Sequence, residues 1–113
     1  MDKLENHKKI VREITQQIAD MTPSDEVSET QFIADDQQGH YLLFSVGWHN
    51  NQREYLPFVH IDVKPDGKVW IQHDGTDLVI AQWLIDKNIS KSDIVLAFQA
   101  PARRELIPDF AVS

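Results

Sequence analysis

Apolar positions in the first twenty-two residues recur with a helical period. At about 100° per residue, Leu4, His7, Ile10, Val11, Ile14, Ile18 and Met21 fall within an arc of roughly 120°. That stripe predicts a helix lying on a core. Asp2 and Glu5 have the spacing of a capping box at its start, and Thr22, Pro23 and Ser24 end it.

From Val27 to His73 the period shortens. β-Branched and aromatic residues alternate with polar ones between turn signals, which predicts strands near 28–34, 40–48, 53–63 and 68–73. Pro65-Asp66-Gly67 fits a three-residue loop with glycine in the left-handed position, so Lys64 should stand opposite Lys68. In that register Val59, Ile61, Val63, Val69 and Ile71 share one face. Phe58, His60, Asp62, Trp70, Gln72 and Asp74 share the other. A two-residue loop would scramble the apolar set.

A second helix is expected from Thr76 to Lys87, capped by Asp74 or Thr76, with Ile80, Ala81, Leu84 and Ile85 inward. Val79 and Trp83 project away from that arc. After a turn at Ser90–Asp93 come a short strand from Ile94 to Phe98 and a last helical turn over Pro101–Leu106. The expected fold is α+β: an antiparallel sheet of four to five strands, with the N-terminal helix and the second helix packed on one face. A length of 113 residues suits a single domain over 1–113.

Charge narrows the chemistry. Eleven Lys and Arg against eighteen Asp and Glu leave a net charge of −7, which repels a phosphate backbone, so direct nucleic-acid binding is disfavoured. With no cysteine there is no disulfide, thiolate nucleophile or Cys-ligated metal. No apolar run is long enough to cross a membrane and the N-terminus carries no secretory pattern; a soluble cytoplasmic protein is expected.

Candidate chemistry concentrates on the polar sheet face. His60, Asp62 and Asp74, with Gln72 beside them and Trp70 between, could hold a divalent metal or do acid–base work. A solvent-facing polar surface that contacts a partner explains the same residues more simply. His7, His40 and His49 show no ligand spacing, and His73 is expected on the opposite face. Trp48 and Trp70 could stack on bases, but their neighbours Glu54, Asp62 and Asp74 favour a protein contact. Val79 and Trp83 suggest a contact with a partner or a second copy. The four glycines are too scattered for a phosphate-binding loop, there is no serine-nucleophile elbow, and no cofactor is expected.

The strings VGW (46–48), HIDV (60–63), KVWIQHDGTD (68–77), DIVLAFQAP (93–101) and RRELIPDFAV (103–112) resemble the XisI-like family of fdxN element excision controlling factors. The chain departs from the family pattern at Val79, Trp83 and Pro108. The resemblance implies a controlling role in programmed excision of a DNA element, beside a XisH-like companion of endonuclease type. It supplies no catalytic residues. The function expected is therefore a non-enzymatic accessory factor working through protein contacts, through Trp48, His60, Asp62, Trp70, Gln72, Asp74, Val79 and Trp83. The alternatives are a metal-dependent hydrolase or nuclease subunit using His60, Asp62 and Asp74, and a weak DNA-binding factor.

Overall fold

A computed structural model describes residues 2–113. Helix α1 (Lys3–Asp20) is followed by strands β1 (Ser28–Asp35), β2 (His40–His49), β3 (Gln52–Val63) and β4 (Val69–Asp74), helix α2 (Ile80–Asp86), strand β5 (Ile94–Leu96) and the short helix α3 (Pro101–Arg104). The strands form one sheet in chain order.

α1 starts as its sequence predicts, with Asp2 Oδ1 accepting from the Glu5 amide at 2.8 Å. It buries His7, Val11, Ile14, Thr15 and Ile18. Met21 lies just past the helix and is exposed, so the inner stripe ends at Ile18. His7 is a structural residue: its Nδ1 donates to the Gly67 carbonyl at 2.6 Å, fastening the helix to the β3–β4 turn. That turn closes as predicted, with the Lys64 amide donating to the Lys68 carbonyl at 2.9 Å and Gly67 at φ 88°.

Val63 pairs with Val69 and Ile61 with Ile71. Both pairs join Tyr41, Leu43, Val59, Ile80, Leu84 and the buried side of α1 in one core between sheet and helices. Each such aliphatic side chain removed from water contributes roughly 1.5–3 kcal/mol.

The structure departs from the sequence reading in three places. β5 runs parallel to β4, so the sheet is mixed, though mostly antiparallel. The cause is topological: α2 carries the chain back along the sheet, as in a β–α–β crossover. α2 itself begins at Ile80 and not at Thr76, because Thr76 spends its hydroxyl in a local turn, donating to Asp74 Oδ1 and accepting from the Leu78 amide. Two β-bulges also interrupt the alternation. Between Leu43↔Val59 and Phe44↔Pro57, Phe58 is the extra residue and packs against the core instead of facing outward. Pro57 lacks the amide that a regular ladder would use there. Between Ile61↔Ile71 and His60↔His73, Gln72 is the extra residue.

Candidate functional site

The second bulge decides which side chains meet. Beyond it, Asp74 stands opposite the buried Val59 and so faces the helices. There Asp74 Oδ1 accepts from the Thr76 amide and hydroxyl, and Oδ2 accepts from the Ile80 amide at 3.1 Å. Asp74 thus braces the turn into α2 and accepts from that helix's first amide, while Val79 is the N-cap residue, and the expectation that Asp74 joins His60 and Asp62 is corrected. His73, expected on the other face, pairs with His60.

His40 takes the place left by Asp74. It is the cross-strand partner of Asp62, delivered by Gly39. Gly39 has φ 76°, and a Cβ there would lie 2.3 Å from the Val63 carbonyl oxygen, so only glycine fits the turn. His40 Nδ1 lies 2.7 Å and His60 Nε2 2.8 Å from the same oxygen, Asp62 Oδ1. Gln72 Nε2 donates to Oδ2 at 3.1 Å. Asp62 is 5% exposed, whereas both histidines reach solvent. Burial pushes the Asp62 carboxyl upward, but the hydrogen bond from His40, the charge and hydrogen bond of His60 and the Gln72 amide outweigh it and hold the group below the usual aspartate range. An ionised carboxylate only accepts, so each facing ring nitrogen carries a proton.

The signal that could have found His40 is its register. His40↔Asp62 follows from pairing β2 against β3, but spacing motifs look along a chain and not across a sheet.

The remaining sequence candidates separate. Trp70, opposite Asp62, is half-buried between Lys64 Nζ at 5.3 Å and Arg104 Cζ at 5.6 Å from its ring centre. Arg104 also donates to the carbonyls of Gln99 and Ala97, at 2.9 and 3.2 Å. The C-terminal segment thus closes over this end of the face, and Val95, paired with Trp70, is fully buried. The face is open only in part. Trp83 is not an outward aromatic; it packs against the core beside Ile80 and Leu84. Val79 stays exposed ahead of α2.

Trp48 belongs to a group the sequence reading did not assemble. It lies on the face away from the helices with Leu42, Phe44 and Val46, since Tyr41 and Leu43 point into the core. Ile33 joins through its pairing with Leu42, and Tyr55 through its pairing with Val46. Trp48 is 57% and Tyr55 65% exposed. The Arg53 guanidinium sits 5.3 Å from the Trp48 ring and 5.8 Å from the Tyr55 ring, and Tyr55 lies 5.5 Å from Phe44 between centroids. Neither the two principal helices nor the C-terminal segment covers this stripe.

On the helix-side face, at the same end of the sheet, Glu54 accepts from the hydroxyls of Ser45 and Ser28, at 2.5 and 2.8 Å. These bonds hold its carboxyl below the ordinary glutamate range.

The family described as XisI protein matches residues 1–112. The chain belongs to the XisI family. Among solved structures it is similar to a XisI-like protein from Anabaena variabilis ATCC 29413, at 34% identity and a TM-score of 0.91, over 97% of this chain and 99% of that one. It is also similar to the fdxN element excision controlling factor XisI from the same organism, at 29% identity and a TM-score of 0.88, over 99% of this chain and 100% of that one. No curated protein matches the chain. Among the described residues no helix is long and apolar enough to cross a membrane.

Proposed function

We propose that this XisI-family chain is a non-catalytic controlling factor that works by binding another polypeptide through the bare face of β1–β3. The observation that carries this reading is the stripe of Ile33, Leu42, Phe44, Val46, Trp48 and Tyr55, with Arg53 laid between its aromatic rings. Trp, Tyr and Arg are the residue types that most often dominate binding energy at protein interfaces, and here they sit on rigid paired strands. A related structure is described as an excision controlling factor, a role defined by its effect on an event rather than by chemistry.

The favoured partner is a XisH-like, endonuclease-type companion, the one the family resemblance suggests. A net charge of −7 supports it, with Glu29 and Asp35 exposed on the same side of β1 as Ile33. A DNA-acting protein presents Lys and Arg, so an acidic rim around an apolar centre complements it and steers association. The same charge disfavours a direct grip on DNA.

The test is co-expression with the companion, followed by nuclease assays on the complex. Wild-type chain should co-purify and change the nuclease rate, and Trp48→Asp should release the companion while the fold is retained. Absence of a complex, or a complex indifferent to Trp48→Asp and Tyr55→Asp, overturns the assignment. A dimer of this chain in sedimentation, broken by those substitutions, would hand the face to self-association.

A further inference from the structure

We propose that His40, His60 and Asp62 form a binding site for one divalent transition-metal ion of the zinc class, on the open face of the sheet. Two imidazole nitrogens and one carboxylate oxygen converge there, and the three ligand atoms all lie within 4.8 Å of one another. Two nitrogens and one oxygen suit borderline ions such as Zn²⁺ or Co²⁺ and leave coordination positions vacant for water or an incoming group.

The supporting structure is that of a held ligand set. Asp62 is anchored in the middle of the sheet with Oδ2 taken by the Gln72 amide, which turns Oδ1 toward the two histidines. His40 and His60 come from adjacent strands whose register is fixed by the core beneath them. Both rings are partly exposed, so an ion can enter from solvent.

Bonds of about 2.0–2.1 Å in a tetrahedral arrangement set neighbouring ligand atoms about 3.3 Å apart. The present separations of 2.7 and 2.8 Å must therefore widen by about half an ångström. Small rotations of the two exposed imidazoles supply that. In the metal-free state both facing nitrogens carry protons; on binding, each facing nitrogen gives its proton up to solvent, the ring's other nitrogen carries the N–H, and the freed lone pair turns to the ion. Asp74, the sequence candidate, takes no part because it is committed to α2.

The inference does not depend on the partner reading, because the isolated full-length chain is what is tested. Chelator-treated protein is titrated with Zn²⁺ by calorimetry and with Co²⁺ by visible absorption. One equivalent should bind, with ligand-field bands developing in step. His40→Gln and His60→Gln should each weaken binding at least about tenfold, with far-ultraviolet circular dichroism unchanged. His49→Gln, near the separate carboxylate Glu54, should leave the affinity unaltered. Asp62→Asn should abolish binding, and if that variant misfolds the two exposed histidines still decide. No binding at millimolar metal, or binding that survives both histidine substitutions or follows His49, overturns the site.

Discussion

The face of the sheet turned away from the helices is divided. At the β4–β5 end the C-terminal segment covers it: Arg104 lies over Trp70 and binds two carbonyls, and Val95 is fully buried. At the β1–β3 end no described helix or tail segment covers it, although the side chains are no more polar: Leu42, Phe44, Val46, Trp48 and Tyr55. Ile33, Trp48 and Tyr55 there keep much of their surface in solvent. Between the two halves sits the His40–His60–Asp62 cluster. The difference separates residues packed under the chain's own C-terminal segment from residues that the sheet leaves in contact with solvent.

That division can be broken by substitution. Val95→Ala should cost most, about 2 kcal/mol by chemical denaturation, since it empties a fully buried site beneath the tail. Arg104→Ala should follow at about 1–2 kcal/mol, and limited proteolysis after Ala97 should accelerate as the tail loosens. At the bare end, Trp48→Ala should change folding stability by no more than about 0.5 kcal/mol while weakening any partner bound there. A large stability loss from Trp48→Ala would show that the two halves are not different in kind.

The smallest effect is expected at Glu54. Its folded pKa lies below the unfolded one, so its contribution is present above the normal glutamate range and fades as pH falls through the folded value. Glu54→Gln should therefore lower the melting temperature slightly at neutral pH, and the difference from wild type should shrink in acid.

Both the legible and the illegible parts have identifiable causes. The Pro65-Asp66-Gly67 turn, the pairing of Val63 with Val69 and the apolar stripe of α1 could be read directly, since each follows from local periodicity or from one turn's geometry. His60, Asp62 and Gln72 were also legible as neighbours. Asp74 was misplaced because alternation counts residues evenly along a strand and a bulge at Gln72 breaks the count, whereas His40 was passed over because spacing is read along a chain and its pairing with Asp62 runs across the sheet. Trp83 was misplaced because it stands three residues after Ile80 and one before Leu84, so its large ring flanks the buried arc and packs against the core instead of facing away from it.

The sequence by itself determined the class of fold, the buried face of each major element, the net acidity of the chain and the strings that mark its family. Only the tertiary structure decided which carboxylate meets the histidines, which end of the sheet the tail covers and that β5 runs parallel. The physical reason is that periodicity is a property of one segment, whereas a bulge, a crossover and a returning tail are settled by where distant segments find room to pack and partners for their backbone groups.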